Sequence, residues 1–384
     1  MNQKFKESLF KGSRDHQHKR RSLSVAIVMI ITAAALISAP ISVASAQTAA
    51  NSQKTLRIGY FPNITHSQAV IGLNNGNFQK TLGENVTVET VRFNAGPSAI
   101  ESLLADRIDV TYIGPNPAIN GYLLSNGEDV RVISGASSGG ASFVVRNDSG
   151  INSVSDLGGK KFASPQLGNT QDVALRKYLV ENGFNTVDKG GNVTLLPIAN
   201  ADILTVFLKG EIDGAWVPEP WATRLVQEAE GKILLDERDL WPNGKFVTGN
   251  IIVRTDYLRD NPDVIKRLLQ AHVDETLWIN EKLLQSNDTE ADENNVSTLT
   301  SAFNQGLKNL TGKTFPDVQL AEALSRIVFT TDPLSDSLLK IADDTDEFGY
   351  FKKGANWDGD LQKLYDFTLL NEVLSEKGLQ PIRS

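Results

Sequence analysis

Cysteine is absent from this chain of 384 residues, and its two methionines are Met1 and Met29. Without thiols there is no disulfide framework, no thiolate catalysis and no lipid-modified N-terminal cysteine. Histidine is nearly as scarce. His16 and His18 lie near the start, which leaves His66 and His272, more than 200 residues apart. Two such residues make neither a metal triplet nor a base with its orienting partner. A P-loop is also missing, Ser137-Ser138 has no partner base, and the acid pair Asp343-Asp344 sits in helical surface sequence, where it reads as solvated charge. No catalytic residue, metal site or cofactor motif emerges, so the chain reads as a non-enzyme.

What is present begins with a basic leader. Lys4, Lys6, Lys11, Arg14, Lys19, Arg20 and Arg21 precede an apolar run from Leu23 to Ala39, then Pro40 and Ala44-Ser-Ala46. This layout predicts an export signal over residues 1–46, cleaved after Ala46. An uncleaved anchor through residues 23–39 is the rival, because the run approaches bilayer-spanning length. Either way the body is exported, to a periplasmic or cell-surface location. The leader holds seven basic and two acidic residues, a net of +5, so the −8 of the whole chain leaves −13 on the remainder. An acidic exported body argues against nucleic acid and against anionic membrane surfaces as partners. With both methionines in the leader, the mature body would contain no sulfur.

A length of 384 residues with 40% hydrophobic content supports two cores. After a polar tether at 47–54, strand and helix patterns alternate: strands at 56–61, 86–93, 108–113 and 130–134, with helices at 65–74, 99–105 and 115–124. The alternation restarts with strands at 141–146, 161–163, 193–197 and 212–217 and helices from about 170, at 201–209 and at 220–229. Such alternation implies βαβ units and a largely parallel sheet, with a ligand crevice at the carboxyl ends of the strands. A faint internal repeat aligns Leu104–Ile113 with Leu208–Val217, and Pro115-Asn-Pro-Ala118 with Pro218-Glu-Pro-Trp-Ala222, so that Asn116 matches Glu219. A strand at 250–254 then rejoins the first pattern. Lobe 1 is therefore expected at 55–138 and 250–384, and lobe 2 at 139–249, with two crossovers forming a hinge. A long helix from about 261 to 284, an exposed acidic loop at 286–295 and mostly helical segments at 296–310, 317–327, 336–349 and 361–377 complete the chain.

The candidate ligand residues cluster at strand ends. Pro165 and Gly168 end a strand, and Asn169 and Thr170 suit the start of a helix with an apolar stripe at Val173, Leu175, Leu179 and Val180. Gly168, Asn169, Thr170 and Gln171 would thus present free amides and the positive end of a helix dipole to an anion, with no lysine required. An ordinary capped helix is the plainer reading. Asn63, His66, Ser67 and Gln68 form a polar cluster after the first strand. Asn116, Ser137, Ser138 and Gly139 follow other strand ends, and Gly139-Gly140 also reads as a hinge. Trp216 could line a ligand tail or pack in a core; Glu219 could meet an ammonium or cap its own helix.

The combination of Ile58-Gly-Tyr-Phe-Pro62 with His66, Gly96-Pro-Ser-Ala-Ile-Glu-Ser-Leu-Leu104 leading into Ile108-Asp-Val110, Gly114-Pro-Asn-Pro117, Pro165–Leu179 and Val217-Pro-Glu-Pro-Trp221 resembles the nitrate/sulfonate/taurine family of ABC-transporter substrate-binding proteins. The resemblance runs from about Leu56 to Ile279. It implies an α/β chain with the type II periplasmic-binding-protein fold, two lobes joined by a two-strand hinge around a cleft. It further implies a monomer without cofactor that binds a small anionic solute and delivers it to permease and ATPase subunits. The family's cleft contacts fall on Asn63–Gln68, Asn116, the 137–140 loop, Gly168–Gln171 and Trp216. Two other classes remain: an enzyme similar to the thiamine-pyrimidine synthases, which the lack of cysteine disfavours, and a surface ligand sensor without transport.

Overall fold

A computed structural model describes residues 53–284, 291–349, 351 and 361–383. The expected export signal, most of the tether and residues 286–290 of the expected acidic loop lie outside the described residues. Among the described residues no helix is long and apolar enough to cross a membrane.

The strands are β1 (Lys54–Tyr60), β2 (Val86–Arg92), β3 (Val110–Ile113), β4 (Val130–Gly139), β5 (Ala141–Arg146), β6 (Lys161–Pro165), β7 (Thr194–Ile198), β8 (Gly214–Pro218), β9 (Gly231–Asp236), β10 (Val247–Arg254) and β11 (Ile327–Phe329). They form two mixed sheets, ordered β11-β4-β10-β3-β1-β2 and β7-β6-β8-β5-β9. β1 lies parallel to β2 and β3, and β6 lies parallel to β7 and β8. The next two pairings are antiparallel in both sheets, β3–β10–β4 in one and β8–β5–β9 in the other. The two halves of the molecule therefore repeat one topology.

Strand alternation explains why the second sheet needs two cores. Phe143 and Val145 join Phe162 and Trp216 on one face, whereas Val144 joins Ala163, Ala215 and Val217 on the other. Helices cover both faces, so the central strands read as near-continuous apolar runs. The first sheet is buried in one large cluster that also takes in the C-terminal helices Pro262–Leu284, Ala291–Thr311 and Thr368–Glu376. Gly59 fits this crowding, since a Cβ there would come within 2.6 Å of the Thr111 hydroxyl.

The chain leaves the first sheet for the second at Gly139-Gly140 and returns between Asp236 and Val247. Both glycines have φ near +70°, and a Cβ on Gly140 would come within 2.5 Å of Ile327. Side-chain-bearing residues would be strained there, which is why the crossover is a glycine pair.

Several elements differ from expectation. Ser137, Ser138 and Gly139 are not loop residues: β4 extends through them because it pairs with β10 on one side and with β11 on the other. β11 is too short to show a strand pattern, and its first residue, Ile327, falls in the helical segment expected at 317–327, whereas the helix ends at Leu324. β9 was not expected, and β10 starts at Val247 rather than at 250. The acidic stretch expected as a loop to residue 295 is already helical from Ala291.

Candidate functional site

Each of β1, β2, β3, β6, β7 and β8 runs into a helix, and five of those helices begin around one small cavity of about 40 Å³. After β1 a single turn (Ile64–His66) leads into the helix Ser67–Asn74, and Asn63, Thr65 and His66 border the cavity. Asn94, Ala95 and Gly96 follow β2 and open the helix Gly96–Leu104, and Gly114 follows β3 and opens Pro115–Leu124. From the second half come Asn169, Thr170 and Gln171, opening Thr170–Glu181 after β6, and Asn200, opening Asn200–Leu208 after β7. No side chain caps any of these helices by a hydrogen bond.

The sixth helix, Trp221–Glu228 after β8, is treated differently. Glu219 is fully buried, its Oε2 accepts the Thr223 N–H at 3.0 Å, and its Oε1 accepts from Arg326 of the first half at 3.0 Å. Burial pushes the Glu219 carboxyl pKa up, and the bonds from Thr223 and Arg326 oppose that shift. The protein thus supplies its own anion to one helix start and leaves five open.

The initial N–H groups of a helix have no intrahelical partner, and the aligned peptide dipoles place partial positive charge at that end. Among the described residues, no lysine, arginine, aspartate or glutamate borders the cavity. His66 does not add charge: burial lowers its pKa to about 3, and its Nδ1 accepts the Phe61 N–H at 3.3 Å, which leaves the ring proton on Nε2. The Thr170 hydroxyl oxygen and the Asn200 Oδ1 are buried without a partner among the described residues. Such a site offers helix-start amides, the Thr170 hydroxyl and positive potential, with no carboxylate bordering it among the described residues, an arrangement that suits an anion better than a cation, although the Asn200 oxygen is itself an acceptor. A cavity of this size holds roughly three waters, or one small oxyanion group, since one water needs about 10–15 Å³.

Of the residues singled out from the sequence, Asn63, His66, Asn169, Thr170 and Gln171 meet at this cavity. Asn116 is fully buried and borders a second, larger cavity, with Nδ2 donating to Thr345 and Oδ1 unpartnered. The others stand elsewhere for physical reasons. Ser67 donates back to the Ile64 carbonyl at 2.6 Å, and the Gln68 Nε2 donates to Ala136 O and Thr276 inside the first half, while its Oε1 is buried without a partner among the described residues. Gly168 does not border the cavity; its N–H ties the loop to Asp172 at 3.0 Å. Ser138 Oγ accepts the Phe246 N–H just before β10, Ser137 pairs with Gly249 of β10, and Gly139 pairs with Ile327 of β11. Trp216 is a core residue, stacked on Phe143 at 5.5 Å and donating to Glu237 at 2.7 Å. Glu219 caps its own helix rather than facing a ligand.

Asn94, Asn200 and Thr248 border the cavity without having been singled out. The internal repeat, extended backwards from Leu104 and Leu208, places Asn200 opposite Gly96, so it would have found Asn200. Thr248 belongs to the part of β10 that the sequence pattern did not reveal.

The two halves are held together around the cavity. Lys177 reaches Glu347 at 2.7 Å and Asp344 at 3.4 Å, Trp221 donates to Asn63 at 3.3 Å, and Gln319 donates to Glu228 at 3.1 Å. Contact is close at Gly114, where a Cβ would come within 2.7 Å of the Thr170 hydroxyl.

Comparison with known proteins bears on this arrangement. The model of the NMT1-like family matches residues 49–292. A Bacillus subtilis (strain 168) protein whose name assigns it to aliphatic-sulfonate binding is 26% identical over 330 residues, 84% of this chain and 89% of that protein. Among solved structures, the alkanesulfonate-binding protein of Xanthomonas axonopodis pv. citri bound to MOPS is similar with a TM-score of 0.64 at 19% identity, covering 82% of this chain and 99% of that one. The periplasmic nitrate-binding protein of Synechocystis PCC 6803 gives 0.64 at 16% identity, covering 84% and 89%. The chain shares the periplasmic-binding-protein fold of these structures.

Proposed function

Because this chain belongs to the NMT1-like family, we infer that it is an extracytoplasmic solute-binding protein of an ABC importer, taking a small anionic solute of the sulfonate, taurine or nitrate class. The observation that carries this reading is the ring of five uncapped helix starts around a cavity without an ionised side chain. An anion placed there meets amide donors from both halves at once, so binding favours the closed arrangement, and release follows when the halves part. The hinge in this reading is Gly139-Gly140 together with the return segment between Asp236 and Val247. The protein then performs no chemistry. It carries its solute to permease and ATPase subunits as a monomer, exported or held at the membrane by its N-terminal segment.

Calorimetric titration of the purified protein with nitrate, methanesulfonate, taurine and bicarbonate, beside neutral and cationic amines, tests the reading. Binding by at least one anion is expected. Stabilisation by neutral or cationic compounds alone would overturn it.

A further inference from the structure

The two halves touch near the hinge and also far from it. Arg326 of the first half meets Glu219 and Thr223 of the second at 3.0 Å each, beside the crossover, where the Glu219 N–H bonds the Gly140 carbonyl at 2.8 Å. A contact so close to the axis turns with the hinge more than it holds the halves shut. The other contact lies outward. The helix Thr170–Glu181 follows β6, two places from the crossover strand β5, about 10 Å at the usual strand spacing. Against it stands the C-terminal end of a first-half helix, Ser335–Glu347.

There Lys177 reaches Glu347 at 2.7 Å and Asp344 at 3.4 Å across the divide, and Glu181 at 3.6 Å on its own helix. Asp344 is shared with Lys340 at 3.0 Å, and Lys340 lies over the Trp241 ring of the return segment at 5.5 Å. These charges form a network through both halves and the return segment, and networks are the ion pairs that contribute most. The bond to Glu347 raises the Lys177 pKa to about 12 with help from Asp344, against the effect of burial. Phe348, which follows the helix, shares a small cavity of about 20 Å³ with Leu179, Val180 and Phe184 of the second half, so an apolar contact backs the charged one.

Lys177, Asp344, Glu347 and Phe348 do not border the first cavity. Their contact is made by the protein alone, so it favours the closed arrangement whether or not a solute is bound. We propose that the end of the helix Ser335–Glu347 is a latch that shuts the halves before a solute arrives. The latch needs only the hinge from the solute-binding reading, and no solute. It raises the fraction of molecules already in the arrangement that grips, and apparent affinity scales with that fraction. Being built on partly exposed charges, it weakens with salt.

The absence of cysteine makes the test direct, because introduced thiols are the only ones to label. Glu101→Cys and Thr205→Cys place spin labels at exposed positions on the helices that follow β2 and β7, the strands farthest from the crossover in their sheets. Pulsed electron–electron double resonance reads their separation in the full chain, freed of any carried solute by unfolding and refolding. One short separation is expected at low salt. Lys177→Met should shift the ratio of short to longer separations about fivefold toward the longer, the scale of one partly screened charged hydrogen bond, whereas Lys177→Arg should leave it unmoved. Potassium chloride at about 1 M should act as Lys177→Met does, and this arm reads the latch even if a variant misfolds. A long separation in the unsubstituted latch at low salt would overturn the proposal. So would a short one unmoved by Lys177→Met or by salt, or an equal shift with Lys177→Arg. Because no solute is added, these outcomes leave the anion site to be judged by the calorimetric titration.

Discussion

The turns Gly114-Pro115-Asn116 and Val217-Pro218-Glu219 occupy equivalent places in two sheets of the same strand order, yet they do opposite things. Asn116 keeps a buried oxygen without a partner beside an open cavity. Glu219 is saturated by Thr223 and by Arg326 from the other half. One copy of the turn has been kept receptive, and the other has become a clamp. The difference teaches that a repeated backbone supplies equivalent positive helix ends, and that a single side chain decides whether such an end is reserved for a guest or satisfied from within.

Removing the clamp is the strongest way to break this comparison. Glu219→Ala takes one partner from Arg326, leaving it Glu322 and Thr223, and uncaps the Trp221–Glu228 helix, with an expected loss of about 3 kcal/mol in urea denaturation from one charged hydrogen bond and one cap.

Acidity separates the halves next. His66 and His272 lie in the first half, with pKa values lowered by burial to about 3 and about 4. Unfolded, they take up protons below pH 6.5; folded, they do not, so their contribution to stability is lost as pH falls from 6.5 toward 4. Glu237 behaves in the opposite sense. Burial raises its pKa to about 7, so the folded protein keeps a proton that the unfolded chain releases above pH 4.5. Its contribution is therefore lost as pH rises from 4.5 to 7. Between pH 7 and pH 5 these three groups together contribute a loss of roughly 2 kcal/mol, and Glu237→Gln should roughly double that contribution by removing the opposing part. Denaturation at the two pH values reads both.

A smaller effect belongs to the cradle. Asn169→Ala with Thr170→Ala should weaken an established anion about tenfold, the scale of one or two charge-assisted hydrogen bonds, while stability barely changes. Unchanged affinity by calorimetry would remove the cradle from the site. Smallest of all, Asn116→Leu removes a buried Oδ1 without a partner together with the Nδ2 bond to Thr345, whose hydroxyl keeps its own bond to the Ile341 carbonyl, and should shift stability by less than about 1 kcal/mol, in contrast to its counterpart Glu219.

Much of the fold could be read from the sequence because parallel strands buried on both faces announce themselves as apolar runs, as at Phe143-Val-Val145 and Ala215-Trp-Val217. Strands that depend on distant partners could not. β11 is three residues long and exists because Ser137–Gly139 lies beside it, and that same pairing turned expected loop residues into strand. The site was legible where a strand end and a helix start adjoin in sequence, as at Asn169–Gln171 and Asn63–His66. It was misread where side-chain direction decides. Trp216 and Gln68 stand at the expected places along the chain, but Glu237 claims the indole N–H and Ala136 O claims the amide. The tryptophan that does border an open cavity, Trp241, lies in the return segment, where no motif marks it.

The crossover has a further consequence, for how the chain came to be assembled. Ser138 pairs directly with Val247, and the Gly139 N–H reaches the Phe246 carbonyl at 3.3 Å, so the points where the chain departs and comes back stand side by side. Everything between them is an excursion that the first sheet does not need in order to keep its strand order. A tight turn in place of residues 140–246 would leave β4 and β10 as an ordinary hairpin. The intact chain has instead to close a loop of more than a hundred residues before those two strands can pair, which makes this pairing a late and slow event in folding.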